Sequence, residues 1–211
     1  MAKTEISTLG EFGLIKHLTK DFPTYQPSTQ KAIGDDAAVM HYGDKRTLVT
    51  TDLLLEGIHF NLEYAPLKHL GYKAAVVNFS DIYAMNATPT QITVSLGISK
   101  RFSVEDLEEL YAGIRLACER YNVDLVGGDT SASMTGLTIS ITCLGTAYDS
   151  DIVYRNGAKV NDLICVTGNL GTAYMGLQLL ERERIVMQAN EKATPAFDGR
   201  EYLLERQLKP E

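Results

Sequence analysis

The sequence predicts an α/β (α+β) fold: a mixed sheet with flanking helices, followed by the start of a second α/β domain. Strand-like runs and helix-like periodic segments alternate through residues 1–149. Residues 137–148 alternate apolar and polar side chains, so one face of that strand is expected to be covered. Residues after Asn161 offer one strand and two helices, too few to bury a core alone. A complete first domain and an incomplete second one are therefore expected.

The first helices and the strand between them are predicted from spacing and residue type. Residues 11–18 are expected to form a short helix, and residues 47–51, most of them β-branched, a strand that ends at Asp52. Residues 68–85 carry apolar side chains at helical spacing. Asp81 falls on that apolar face, where a carboxylate needs a partner.

The next segments complete the predicted sheet. Residues 92–98 form an apolar run typical of a strand. Ser103 and Asp106 match a capping box at the start of a helix with an apolar stripe. Residues 123–126 predict a short buried strand that runs into a Gly-Gly-Asp turn. The alternating strand at 137–148 follows it.

A polar, turn-rich segment at 149–161 predicts the boundary between two domains, 1–149 and 150–211. The second domain is expected to be only the beginning of a larger unit. Its predicted elements are a strand at 163–166, a helix at 172–184, an irregular stretch at 186–195 and a last helix at 199–208.

Composition narrows the classes of function. The 211 residues carry a net charge of −7 without a basic stripe, so nucleic acid is not an expected partner. No apolar run approaches the ~20 residues of a membrane span, and the N-terminus lacks an apolar signal core. Cys118, Cys143 and Cys165 match no zinc spacing and are expected to be buried free thiols. We therefore expect a cytoplasmic protein with no membrane contact.

Four acidic segments carry the predicted chemistry. They contain Asp35 with Asp36, Thr50 and Thr51 with Asp52, Asp81, and Gly128 with Asp129. Each alone has an ordinary explanation, such as a turn, a helix cap or a strand end. Together they predict one cluster of carboxylates, which repel each other unless a cation lies between them. Mg²⁺ takes oxygen ligands, commonly one or two carboxylates plus substrate phosphates, so a magnesium–nucleotide site is predicted.

Two further residues are candidates from their chemistry. His59 lies among apolar residues and is either a core histidine or a ligand. Arg155 is either a surface arginine or a phosphate clamp, because a guanidinium matches phosphate oxygens. The sequence holds neither of the two common glycine-rich phosphate-binding motifs. If this chain binds ATP, metal ions are expected to hold the phosphates.

Five blocks in this order resemble a known family. They are G-D-D-A-A at 34–38, T-T-D-L-L-L-E-G-I-H-F at 50–60, N-F-S-D-I-Y-A-M-N-A at 78–87, V-G-G-D-T at 126–130 and Y-R-N-G-A-K at 154–159. The pattern is similar to that of bacterial thiamine-monophosphate kinases, in the aminoimidazole ribonucleotide synthetase (PurM-like) superfamily. The resemblance spans essentially the whole chain.

The resemblance implies transfer of the ATP γ-phosphate to thiamine monophosphate, giving thiamine diphosphate. It implies several Mg²⁺ ions, and a homodimer whose N-terminal sheets pair into a barrel. Asp52 and Asp81 would be catalytic, and His59 would contact the thiamine phosphate. The implied metal ligands are Asp36, Thr50, Thr51, Asp52, Asp81 and Asp129. The implied ATP contacts are Gly128, Asp129, Arg155 and, on spacing alone, Tyr111.

The chain departs from the family pattern in two places. The family continues beyond this end with D-x-S-D-G-L-type and G-G-E-D-Y-type motifs, so this chain is expected to be a fragment or truncated product. Asn86 stands where the family usually has glycine, with little effect expected because a helix end tolerates Asn. Two alternatives stay open: another ATP-dependent enzyme of the superfamily, or a catalytically incomplete dimerising nucleotide-binding fragment.

Overall fold

A computed structural model describes residues 6–190 and 194–211, which form a six-stranded sheet and five α-helices. The strands are β1 Thr29–Lys31, β2 Ala38–His41, β3 Arg46–Leu55, β4 Thr88–Ile98, β5 Asp124–Ala132 and β6 Thr138–Ala147. The helices are α1 Gly10–Thr19, α2 Leu67–Ala84, α3 Val104–Tyr121, α4 Thr172–Ala189 and α5 Glu201–Leu208. Two short 3₁₀ helices lie at Ile6–Thr8 and Asp149–Asp151.

The sheet is mixed, as predicted, with the strand order β1-β2-β3-β6-β4-β5. All neighbouring strands are antiparallel except β4 and β5, which are parallel and joined through α3. β3 and β6 pair over their whole lengths, from Arg46 opposite Ala147 to Leu55 opposite Thr138. This pairing fixes the register of the central strands that carry the candidate site.

The core lies between the sheet and α2, with α3 packed on α2. The predicted alternation of β6 is confirmed, because Ile139, Ile141 and Cys143 are fully buried. Gly71 and Gly113 let the two helices cross closely. A Cβ at Gly71 would lie 1.9 Å from the Leu110 carbonyl oxygen.

The predicted start of α3 is also confirmed. The Ser103 hydroxyl accepts a hydrogen bond from the Asp106 N–H at 3.2 Å, and the Asp106 carboxylate accepts one from the Ser103 N–H at 2.8 Å. Asn86 lies just beyond the C-terminal end of α2. Asn86 adopts a left-handed φ of 56°, which asparagine tolerates, and its amide donates to the Asp151 carbonyl at 2.9 Å.

Two strand predictions are wrong in detail. β3 does not end at Asp52 but continues to Leu55, because β6 supplies a partner along its whole length. Of the strand predicted as buried at 123–126, Val123 is buried but precedes β5, which is exposed along its whole length. β5 is one of the two edge strands and, among the described strands, pairs only with β4, so Leu125 and Val126 remain about half exposed.

Predictions after residue 161 are met only in part. Residues 163–166 form no strand, and Cys165 is exposed rather than buried, because no described strand pairs with this segment. α4 continues to Ala189, so the stretch predicted as irregular is helical over 186–189. Residues 191–193 of that stretch lie outside the described residues, as does the N-terminal segment 1–5.

α4 and α5 pack together through Gly176, where a Cβ would lie 2.2 Å from the Leu203 carbonyl oxygen. Among residues 6–190 and 194–211, no helix combines the length and hydrophobicity needed to cross a membrane.

Candidate functional site

The centre of the site is formed where β3 faces α2. Thr50 and Asp52 are two residues apart on β3, so both side chains point toward α2. The Thr50 hydroxyl donates to Asp81 Oδ2 at 2.8 Å, which gives the carboxylate on the apolar helix face its predicted partner. The structure therefore brings these three residues together.

Asn78 fixes the position of Asp52. Its side chain is fully buried; Oδ1 accepts the Asp52 N–H at 3.1 Å and Nδ2 donates to the Ala74 carbonyl at 2.9 Å. From the sequence, Asn78 was recognised only as part of a motif, and no role was predicted for it. The available signal was a polar amide on an apolar helix, one turn before Asp81.

Burial and like charge oppose the ionisation of these carboxylates. Burial raises the pKa of Asp81, and the nearby charges of Asp52 and Asp36 raise it further; the Thr50 hydrogen bond and Arg155 lower it. Burial also raises the pKa of Asp52, while the electrostatic influence of His59 lowers it. The arrangement concentrates negative charge at a half-buried position, which a cation would relieve.

Asp36 joins this group from the loop between β1 and β2, but it is bound to an arginine. Arg155 Nε donates to Asp36 Oδ1 at 3.0 Å, and Nη2 donates to the same oxygen. The Arg155 backbone N–H donates to Asp35 Oδ1 at 3.2 Å. Arg155, which the resemblance implies as an ATP contact, is thus hydrogen-bonded to Asp36, which it implies as a metal ligand.

His59 follows β3 and is exposed, so it is not a core histidine. Its Nδ1 accepts the Leu55 backbone N–H at 3.0 Å. The neutral imidazole therefore carries its proton on Nε2, which is left as a hydrogen-bond donor.

Tyr111, Gly128 and Asp129 line a second region, an open cavity of about 540 Å³ between α3 and β5. A Cβ at Gly128 would lie 1.9 Å from the Val94 carbonyl oxygen, so only glycine permits β5 to approach β4 here. Tyr111 also lines an adjoining groove of about 610 Å³ with Leu125. Burial raises the pKa of the Tyr111 phenol.

The sheet register separates the two regions. Asp52 lies opposite Ile141, Ile141 opposite Val94, and Val94 opposite Gly128. Three strand spacings of about 4.8 Å therefore separate Asp52 from Gly128, about 14 Å in all. Among the described residues, no three His, Cys, Asp or Glu side chains converge on a preformed metal site.

Thr51 differs from the other candidates on β3. Its side chain points away from α2, and its hydroxyl donates to the Ile141 carbonyl at 3.1 Å and accepts from the Thr142 hydroxyl at 3.2 Å. The Thr51 hydroxyl is therefore not grouped with the carboxylates.

Comparison with known proteins relates this arrangement to one family. Residues 34–147 match the model of the AIR synthase related protein, N-terminal domain. The chain is 36% identical over 205 residues to the thiamine-monophosphate kinase of Aquifex aeolicus, covering 97% of this chain and 61% of that protein. It is 32% identical over 206 residues to the enzyme of Bacillus subtilis, covering 96% and 60%.

Solved structures give the same result. The structure of AaThiL complexed with AMPPCP and TMP matches with a TM-score of 0.82 and 33% identity, covering 100% of this chain and 62% of that one. A structure of tt0281 from Thermus thermophilus matches in fold, with a TM-score of 0.73 at 19% identity. This chain thus spans about 60% of the length of the curated relatives it matches.

Proposed function

This chain belongs to the AIR synthase related protein family, and we propose that it carries much of the metal and nucleotide site of a thiamine-monophosphate kinase. The reaction transfers the ATP γ-phosphate to thiamine monophosphate, giving thiamine diphosphate and ADP, in thiamine diphosphate biosynthesis. The observation that carries the proposal is the grouping of Thr50, Asp52 and Asp81, with Asp36 beside them. The similarity to thiamine-monophosphate kinases supports the choice of reaction.

The donor set suits magnesium. It consists of carboxylate and hydroxyl oxygens, the ligands that a hard divalent cation prefers. Mg²⁺ keeps waters and shares substrate phosphates, so it does not require three protein carboxylates to converge beforehand. We propose as ligands Asp36, Thr50, Thr51, Asp52, Asp81 and Asp129, with Thr51 acting through its backbone since its hydroxyl is directed elsewhere. The bound ions would neutralise charge on the transferring phosphoryl group.

The nucleotide would extend across the sheet between the two regions. Tyr111 offers an aromatic ring in the α3–β5 cavity, and Gly128 permits close backbone approach. Asp129 would contribute a carboxylate at this end, while Arg155 offers a guanidinium fork for phosphate oxygens beside Asp36. The polyphosphate would connect regions that the fold holds about 14 Å apart.

The acceptor would bind at His59. Its Nε2–H is free to donate to a phosphate oxygen, because Nδ1 is already used as an acceptor. The acceptor oxygen belongs to a phosphate monoester that is anionic near neutral pH, so transfer needs no strong general base. Asp52 and Asp81 would act by holding the reacting groups in line through the metal ions.

We propose that a second copy of the chain covers the sheet face opposite α2, giving a homodimer. Thr51 lies on this face, and Leu53 is 53% exposed there. None of the described helices packs on this face in the way that α2 packs on the other. Light scattering during gel filtration would show a mass twice 23.3 kDa.

We also propose that the chain is divided into two domains, 1–149 and 150–211.

Incubation with ATP, MgCl₂ and thiamine monophosphate tests the function, with thiamine diphosphate detected as its fluorescent thiochrome. Product in the presence of Mg²⁺, and none with EDTA, is the expected result. Binding of Mg–ATP without product would instead favour a catalytically incomplete nucleotide-binding fragment, a reading favoured by the coverage of only 61% of the Aquifex relative. The absence of both Mg–ATP binding and product would refute the proposal.

A further inference from the structure

Arg155 and Asp36 form a hydrogen-bonded ion pair. Two guanidinium nitrogens donate to Asp36 Oδ1, and the pair is partly exposed, with 47% of the Arg155 side chain and 23% of the Asp36 side chain accessible. The guanidinium also lies 5.8 Å from the centre of the Phe12 ring. The arginine thus occupies a carboxylate that the proposed function assigns to a metal ion.

This compensation is specific to Asp36. Within residues 6–190 and 194–211, no lysine or arginine forms an ion pair with Asp52 or Asp81. Those two carboxylates are therefore open to an incoming cation, whereas at Asp36 a cation must displace or weaken the guanidinium. A polyphosphate anion has the opposite effect, because it competes with Asp36 for Arg155.

We propose that Asp36 is a shared cation site: Arg155 occupies it in the free chain, and a divalent ion takes it once a nucleotide phosphate draws Arg155 away. This rests on the proposed function for the metal role of Asp36 and the phosphate role of Arg155. It makes metal and nucleotide binding mutually supportive, since each ligand releases the group that the other needs. A metal ion alone then binds weakly, because it competes with a charged group of the chain itself.

The test is Mn²⁺ binding without nucleotide, measured by electron paramagnetic resonance of free Mn²⁺. Arg155→Gln should bind Mn²⁺ about fivefold more tightly than the unmodified chain, a size typical of a partly exposed ion pair. Arg182→Gln is the matched control, because it removes the same charge from an ion pair on α4 with Glu183. It should leave Mn²⁺ affinity unchanged. Arg155→Lys should fall between, because it keeps the charge but not the fork.

A purely structural role for Arg155 would give a different result. Loss of the guanidinium bonds to Asp36 would then lower the melting temperature without raising Mn²⁺ affinity. Equal or weaker Mn²⁺ binding by Arg155→Gln would overturn the inference, as would absence of binding by both chains. Tighter Mn²⁺ binding by Arg155→Gln, together with an unmodified chain that neither binds Mg–ATP nor makes thiamine diphosphate, would refute the proposed function while supporting the competition between Arg155 and a metal ion.

Discussion

Asp81→Asn should stabilise the metal-free chain while it abolishes metal-dependent function. The asparagine Oδ1 can still accept the Thr50 hydrogen bond, so the change removes charge but keeps that contact. The substitution removes two unfavourable contributions to folding, the burial of a charge and its repulsion from Asp52 and Asp36. It also removes one favourable contribution, the attraction of that charge to Arg155, which offsets part of the gain. For a half-buried group screened by solvent, we expect a net gain of about 1 kcal/mol at pH 7.

The pH dependence provides a second signature of the same effect. Because folding raises the pKa of Asp81 above 3.8, the folded chain binds this proton more tightly than the unfolded chain does. The Asp81 carboxyl group therefore lowers the free energy of unfolding progressively as the pH rises from about 3.8 to its folded pKa. Above the folded pKa this loss of stability stays constant. The advantage of Asp81→Asn should be absent well below pH 3.8 and fully developed once the pH exceeds the folded pKa.

Thermal unfolding in EDTA, followed by circular dichroism, measures this gain. A shift of about 3 °C upward corresponds to 1 kcal/mol in a chain of this size. Asp44→Asn is the control, since Asp44 is exposed and its side chain forms no ion pair with the described residues, so little change is expected. A melting temperature for Asp81→Asn at or below that of the unmodified chain would refute the charge-repulsion reasoning.

Three further outcomes follow from the packing and the site. Asp52→Asn should abolish Mg²⁺-dependent product formation in the thiochrome assay; a near-normal rate at ordinary magnesium would contradict its metal role. Asn78→Ala should cost about 2 kcal/mol in urea unfolding, because it leaves the Asp52 N–H without its partner; an unchanged midpoint would show that Asn78 is not an anchor. Gly113→Ala should cost several times more stability than Gly43→Ala, because its Cβ would lie 1.9 Å from the Lys68 carbonyl oxygen and that of Gly43 would meet nothing within 4 Å. Equal melting temperatures for the two glycine variants would contradict the close helix crossing.

Local patterns predicted most of the first domain. The apolar periodicity of α2 and the alternation of β6 are imposed by burial on one side, so they are visible in the sequence. The capping box at Ser103 depends on contacts within four residues and was equally visible. The same reasoning correctly placed Asp81 on a helix face that requires a partner.

Predictions that depended on distant neighbours failed or were not made. Residues 163–166 look like a strand by composition, but strand formation requires pairing, and no described strand supplies it. The apolar β5 sequence suggested burial, but its edge position leaves it exposed. The Arg155–Asp36 contact joins residues 119 positions apart, so no local pattern could show it.

Calorimetric titration of the chain with AMPPCP, with and without Mg²⁺, is the most direct test of a metal-bridged nucleotide site. We predict binding that requires Mg²⁺ and is lost in Asp52→Asn, because the carboxylates reach the nucleotide only through metal ions. Binding of equal strength in EDTA, or its persistence in Asp52→Asn, would contradict a metal-bridged nucleotide site.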